Sequence, residues 1–517
     1  MGEAFQAQWA HFPNYFAHHV LLTVGALAIG ILFSLPLAAL ALRRPALAPP
    51  LLGLSSIIQT IPGLALLALM VPLLGRIGVV PALVALVLYS MLPILRNAVT
   101  GANEVDPNVL EAARGIGMTD QQILVRVQLP LALPVLVAGI RTAAVWTVGM
   151  ATLSTPVGAT SLGNFIFSGL QTQNTVAVLM GCFGAAVLAI ALDGLIRLGE
   201  WAAARRSARL AWTSIGLLAI SIGLACLPIL AAGFGDSNRP RATVGAKTFT
   251  EQYILAELIA TKLRQAGFDV TLREGLGSTV AFNALSNGDL DVYVDYSGTI
   301  WANYMKRTDP ANSEIVLETS QEWLANEAGI QLLGPLGFEN AYAIAMKSQA
   351  ARLKGISDLS DLAEQAPQLA LGGDYEFFAR PEWREVEAAY GLKFREQRSF
   401  DSALMYGAVA DGHVDAISAF SSDGRIAAYD LVVLDDPLQA FPPYDAVILL
   451  SDLAAQNPRF VEALRPLLGA IGDSQMREAN RRVDLDGASV HSAAAELASE
   501  IASRARPSDP PPNFGAR

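Results

Sequence analysis

The chain has 517 residues, of which 52% are hydrophobic and 16% charged, with a formal net charge of -11 and a mean hydropathy of +0.39. That is too apolar for one soluble protein, and the length allows two to four domains. The acidic balance excludes nucleic acid as a natural partner. The two cysteines, Cys182 and Cys226, both in apolar runs, exclude a disulfide or cysteine–metal framework in the more polar second half.

The first 234 residues or so are membrane-like. Six apolar segments run at about 17–42, 51–74, 78–99, 131–155, 175–198 and 210–234. Each is near the ~20 residues that a helix needs to cross the hydrocarbon core. Pro36, Pro62 and Pro93 fall inside them, as membrane helices tolerate. A polar stretch at 103–130 separates the third segment from the fourth, and its Glu111–Pro130 part reads EAARGIGMTDQQILVRVQLP. Helices cannot cross a bilayer with this many charges, so the stretch lies at a membrane surface. Its alanines permit close helix approach, Gly117 ends or kinks a first helix, and Pro130 starts the next segment. Read without reference to any family, it is an amphipathic interfacial helix.

Arginines fix the orientation. Arg43, Arg44, Arg96, Arg114, Arg126, Arg197, Arg205, Arg206 and Arg209 fall on one side of the predicted crossings, and Arg76 on the other. The positive-inside rule then places the N-terminus outside and the Glu111–Pro130 loop in the cytoplasm. Six crossings bring the C-terminal half outside as well. Arg141, inside the fourth segment, is either a functional charge or one that reaches the cytoplasmic surface. The sixth segment follows a basic flank and is read as a retained anchor, with a cleaved internal signal as the alternative. A lipoprotein site at Cys226 is disfavoured by Gly223. The short linker GDSNRPRA at 235–242 would hold the C-terminal half near the membrane.

From Thr243 strands and helices alternate. TVGAKTF, FDVTLRE and LDVYVDY read as strands, with helices over TEQYILAELIATKLRQAG and TVAFNALSNGD. A second α/β unit starts near Ala341, with strands at AYAIAM, LALGG, AISAF, VVLDD and AVILL. A helical tail from about Asn457 ends in a disordered segment over 506–517. Two α/β lobes imply a cleft between them.

No G-x-x-x-x-G-K-[ST] occurs, so a P-loop for ATP is absent, and no metal, cofactor or nucleophile–base set is suggested. His11, His18, His19, His413 and His491 form no H-E-x-x-H; His18–His19 reads as an interfacial pair.

The motifs now carry a resemblance. Glu111-Ala112-Ala113, Gly117 and Leu129-Pro130 resemble the EAA loop of ABC-importer permeases, which docks into the ATPase subunit; Val127 stands where that family usually has Ile. Residues from about His19 to Trp201, including SIIQTIPGLALLALMVPLLG, resemble the permease of the glycine betaine/choline/carnitine importers. Residues 241–505 resemble the matching substrate-binding protein, through VGAKTFTEQYILAEL, LDVYVDYSGT, AYAIAM, ISAFSSDGRIAAYDLVVL and FPPYDA.

The resemblance implies an all-α permease domain at 1–209 with a coupling loop at 103–130, and a sixth helix and linker at 210–240. A two-lobed α/β binding domain of the type II periplasmic class follows at 241–505. It also implies a bacterial inner-membrane location, a homodimer with two separate ATPase subunits, and no enzyme activity in this chain. A quaternary ammonium has no N–H to donate, so its recognition falls to aromatic faces. The family's cage positions correspond to Tyr296, Tyr342, Phe420 and Tyr444, where Phe420 replaces the usual Tyr. Lys247, Thr299 and Arg380 correspond to the carboxylate-binding set, and Asn340 would offer a backbone oxygen to the methyl groups. Outside this family a strand-end Tyr is more often core or surface. Ergothioneine, a trimethylated histidine betaine, fits the same requirements. A signalling receptor would need a cytoplasmic output domain larger than the polar loop.

Overall fold

The computed structural model describes residues 2–172, 174–205, 207–233, 239–307, 309 and 311–504. The expected tail at 506–517 and residues 235–238 of the linker lie outside the described residues. The chain divides into two compact units, Met1–Phe167 with Thr175–Asn238, and Ser168–Asn174 with Arg239–Arg517.

The first unit is a multi-pass helical membrane domain. Its helices are α1 (Gly2–Arg43), α2 (Ala48–Thr60), α3 (Gly63–Leu74), α4 (Val79–Asn103), α5 (Pro107–Gly115), α6 (Asp120–Ile123), α7 (Leu129–Thr152), α8 (Gly163–Gln171), α9 (Thr175–Ala204) and α10 (Ala208–Gly233). Among the described residues, five stretches are long and apolar enough to span: His11–Arg43, Val79–Asn103, Asp120–Thr152, Thr175–Ala204 and Ala208–Pro228. The expected crossing at 51–74 is a helix pair bent by 100°, a sixth crossing where the pair counts as one broken span. Pro62 has no N–H to extend the ladder, and it holds Ile61 in the extended region (φ -70°, ψ 126°), so α2 stops there. Pro36 and Pro93 stay inside α1 and α4 as expected. The core of this unit packs α1, α4 and α7 through Leu27, Ile94, Leu95, Ala98, Ala143 and Ala144. Gly139 lets α7 lie close against α4: a Cβ there would meet the Asn97 Cβ at 2.5 Å and the Pro93 carbonyl oxygen at 2.8 Å.

The polar stretch forms an elbow. Asp106 caps α5 by accepting from the Asn108 N–H, and Gly117 turns the chain at φ +86°. Thr119 and Gln122 then form a capping box on α6. Pro130 stands in the first turn of α7, as the sequence suggested, and α7 continues the span Asp120–Thr152 directly after a π turn at Leu124–Gln128. The wider turn relieves the clash that a proline ring makes with the carbonyl four residues back. Arg141 is neither solitary nor free: its guanidinium pairs with Asp193 at 2.8 Å and Glu200 at 2.7 Å, two turns apart on α9. His19 is buried and its ring accepts from the Leu162 N–H, whereas the His18 ring pairs with the Asn14 carbonyl. No metal-binding group of three or more His, Cys, Asp or Glu residues occurs among the described residues.

The second unit holds two five-stranded sheets. The first contains β1 (Arg241–Lys247), β2 (Asp269–Leu276), β3 (Val292–Tyr296), β4 (Ile330–Glu339) and a late strand; the second contains β5 (Tyr342–Lys347), β6 (Ala370–Asp374), β7 (Glu396–Phe400), β8 (Ala416–Phe420) and β9 (Leu431–Val433). The late strand is β10 (Asp445–Ser451), and the orders are β2-β1-β3-β10-β4 and β7-β6-β8-β5-β9. Three expectations are corrected here. The AVILL strand, assigned to the second lobe, returns to the first sheet and pairs antiparallel with β3 and β4. Arg241 and Ala242, assigned to the linker, begin β1 opposite Asp269 and Val270. Strands β4 and β7 were not anticipated: β4 is interrupted by Gly334, Pro335 and Gly337, and β7 (EQRSF) is polar.

Two crossings of the chain join the lobes, β4 to β5 and β9 to β10. The ends of β3 and β8 and the starts of β5 and β10 therefore gather at these crossings, where open α/β sheets place their ligands.

Candidate ligand site

The strand register assembles the aromatic positions. Tyr342 at the start of β5 faces Phe420 at the end of β8 as a cross-strand pair, with ring centroids 4.9 Å apart. Tyr444, just before β10, meets Tyr342 edge-on at 5.8 Å. Tyr296 closes β3 and joins the others through Phe249, which stacks on it at 6.1 Å and on Phe420 at 5.7 Å. All four expected cage positions thus come together. Tyr296, Tyr342 and Tyr444 are 1–6% exposed.

Their rings touch one another. Gly298 is what lets Tyr444 lie where it does, since a Cβ there would fall 2.8 Å from the Tyr444 ring and the Pro443 oxygen.

The polar residues are arranged differently from the expectation. Lys247 pairs with buried Asp295 and lies 5.5 Å from the Tyr296 ring centroid. Arg380 pairs with Glu376 at 2.7 Å and Glu382 at 3.4 Å, and its guanidinium carbon stands 5.1 Å over the Tyr342 ring. Both cations assigned to a ligand carboxylate therefore hold protein carboxylates; the Arg380 Nε still lacks a partner. Thr299 is buried one turn past Tyr296. Asn340 contributes its side chain: its Nδ2 donates to Glu251 at 3.0 Å, while its backbone N–H donates to the Tyr444 carbonyl.

The sequence reading missed Glu251. This fully buried carboxylate, in the first turn of the helix Thr250–Gln265, accepts from the Tyr296 hydroxyl at 2.6 Å and from Asn340, Ser422 and Asn480. Burial pushes its pKa up, against the four hydrogen bonds that hold it down. Burial first, and then Glu251 for Tyr296 and Glu382 for Tyr444, push those hydroxyls well above the usual phenol range; burial does the same to Tyr342, with Arg380 pulling down and Asp374 pushing up, so all three remain donors. The available signal was positional: Glu251 and Glu382 each stand in a helix's first turn directly after a loop from the cleft.

A cavity of about 770 Å³ lies on the crossing side of the site, lined by Trp301, Glu339, Tyr342, Glu382 and Phe441 among others. A water-sized crevice of about 20 Å³ lies beside Glu251, Asn340, Phe420 and Asn480. The Oδ1 atoms of Asn340 and Asn480 have no partner there.

A helical membrane domain joined to a two-lobed α/β domain with a buried aromatic cleft defines a subunit of a binding-protein-dependent importer. The comparisons agree. Residues 29–205 match the family described as the binding-protein-dependent transport system inner membrane component. Residues 241–500 match the substrate binding domain of ABC-type glycine betaine transport systems, and the chain belongs to that importer family, with permease and binding domain fused. It is a transporter subunit and not an enzyme, and its architecture calls for a separate ATPase partner in a membrane setting.

One relative spans both halves: the ergothioneine transport permease/ergothioneine binding protein EgtU of Helicobacter pylori is 30% identical over 449 residues, 84% of this chain and 80% of the relative. The choline transport system permease protein OpuBB of Bacillus subtilis is 42% identical over 182 residues, 35% of this chain and 83% of the relative. The glycine-betaine-binding protein of Pseudomonas aeruginosa is 32% identical over 296 residues, 54% of this chain and 93% of the relative.

Proposed function

We propose that this chain imports quaternary ammonium compounds of the glycine betaine, choline and carnitine type, its binding domain handing the ligand to its own permease domain. The convergence of Tyr296, Tyr342, Phe420 and Tyr444 at one buried point carries this reading. Each desolvated face contributes about 2 kcal/mol toward a cation, enough together for micromolar affinity, about -8 kcal/mol, once ordering is subtracted. Lys247, Thr299 and Arg380 would meet a ligand carboxylate after exchanging their present partners. Titration of the full chain in detergent with choline, glycine betaine, carnitine and ergothioneine tests the class. Micromolar binding of at least one of the first three is expected, and binding of none of the four removes the reading.

The second reading is ergothioneine import, favoured by the Helicobacter pylori relative, which is named for that ligand and spans both halves. Binding of ergothioneine with rejection of the other three would select it.

The assembly reading is two copies of this chain with two ATPase subunits, each docked on one elbow through Glu111, Ala112, Ala113, Gly117, Leu129 and Pro130. Exposure of Glu111, Ala112, Ile116 and Gly117 supports a docking face there. We place the permease domain at 1–209, the tether at 210–240 and the binding domain at 241–505, outside the cytoplasm. A reporter active only outside the cytoplasm should work when fused after Arg517 and stay silent after Arg44; the reverse would overturn the topology.

A further inference from the structure

Each cage tyrosine ends on a carboxylate. The Tyr296 hydroxyl donates to Glu251 at 2.6 Å, the Tyr342 hydroxyl to Asp374 at 3.0 Å and the Tyr444 hydroxyl to Glu382 at 2.7 Å. The three acceptors come from three different elements and are themselves fixed. Asp374 closes β6 and also accepts the Glu376 and Phe377 N–H groups. Glu251 and Glu382 sit in the first turns of their helices, where the helix dipole favours a negative charge. All three are buried. With Asp295 and Glu376, five carboxylates stand against two cationic side chains, Lys247 and Arg380, around these rings.

A phenol that donates to a carboxylate carries more electron density on its ring face than one that donates to water. Attraction of a cation to that face is electrostatic and rises with it. The carboxylate charge also acts directly on the ligand, with little screening in a buried site. Apolar contact with the same ring is unaffected by either term.

We propose, resting on the quaternary ammonium reading above, that Glu251, Asp374 and Glu382 are the specificity-determining residues of this site: through the hydroxyls of Tyr296, Tyr342 and Tyr444 they make the cage select a positively charged ligand over a neutral one of the same shape. They are positioning residues, because their contact is with the tyrosines. Phe420, which has no hydroxyl, offers its ring face with no carboxylate behind it.

The test compares choline with 3,3-dimethylbutan-1-ol, and glycine betaine with 3,3-dimethylbutanoate. In each pair a carbon replaces the ammonium nitrogen and the positive charge is lost at constant shape; the alcohol is neutral and the butanoate is an anion. The full chain in detergent is titrated as wild type and as Glu251→Gln, Asp374→Asn and Glu382→Gln. Each amide variant should lower the ammonium-to-isostere affinity ratio about tenfold while leaving the affinity of the neutral 3,3-dimethylbutan-1-ol within a factor of about two. A purely structural role would weaken cation and isostere together and leave the ratio intact, which would overturn the inference. If the wild type binds neither choline nor glycine betaine, the substrate reading falls and takes this inference with it; if it binds either and the ratios hold, only the inference falls.

Discussion

The elbow at Pro107–Ile123 and the aromatic site around Tyr342 are both polar departures from an apolar chain, solved in opposite ways. In the elbow, Glu111, Ile116 and Gly117 face outward, and the hydrogen bonds are local caps within four residues. In the site, every tyrosine hydroxyl is matched to a carboxylate from a distant element, across as many as 62 positions for Tyr444 and Glu382. A surface built from neighbours in sequence can be altered at little cost to the fold, so its variants report on what docks there. A buried network couples shape, charge and binding, so its variants must be read against a second ligand.

The sharpest break with that comparison is Gly117→Trp, for which loss of uptake should be essentially complete. Gly117 adopts φ +86° with open space around it, so a side chain there strains the turn and fills the outer face without meeting the core. Transport and ligand-stimulated ATP hydrolysis by the assembled complex should vanish while ligand affinity stays at the wild-type value. Glu111→Lys should act alike. Normal transport in either variant would mean that the elbow is not the docking surface.

Next in size is Tyr444→Ala. It removes a buried face and the acceptor's partner on Glu382, for a loss of ~2–3 kcal/mol, or about 30- to 150-fold in affinity for choline and betaine alike. Uptake rates at saturating ligand should change far less. A loss below threefold would take Tyr444 out of the site.

The same contrast explains what the sequence disclosed. The stretch Glu111–Pro130 is twenty contiguous residues, and its Gly117 turn and the Pro130 in the first turn of α7 are local signals. The strands β1, β3, β6 and β8 were legible because their apolar runs are short and bounded by turn residues. What stayed hidden was non-local. Nothing within AVILL tells that β10 recrosses to the first sheet, and nothing near Glu251 tells that Tyr296, 45 positions on, will donate to it. The cage positions came from a resemblance to a family; tyrosines at strand ends would otherwise pass for core. The bend at Pro62 was misjudged for another reason: membrane helices do keep internal prolines, as α1 and α4 show, and only the packing decides which one breaks.

Arg380→Ala separates charge from shape on a smaller scale. Betaine and choline differ by the carboxylate, so betaine should lose on the order of 1.5–3 kcal/mol. Choline should hold or gain, because Glu376 and Glu382 lose their cation when Arg380 goes. Equal losses for both ligands would show that Arg380 shapes the lobe and does not meet the ligand.

The smallest effect concerns pH and lies beside the cage. Asp484 is buried on the helix Asp473–Asp484, accepts from the Thr250 hydroxyl at 2.5 Å, and lies 3.9 Å from Arg425. Burial raises its pKa to about 7, Arg425 and the Thr250 hydrogen bond pull it down, and neighbouring Asp423 pushes it up. The folded protein therefore holds a proton there that the unfolded chain releases near pH 4. Between those values the folded state binds more protons than the unfolded one, so stability falls as pH rises and the loss is complete above about pH 8. Glu251, also raised by burial, acts in the same direction. The melting temperature of the binding domain, followed within the full chain, should thus be higher at pH 6 than at pH 8, by an amount equivalent to about 1 kcal/mol. Asp484→Asn keeps the shape and the Thr250 contact but cannot ionise, so it should raise stability at pH 8 and flatten the profile. A profile in Asp484→Asn as steep as the wild type's would assign the pH dependence to other groups, with Glu251 the next to vary.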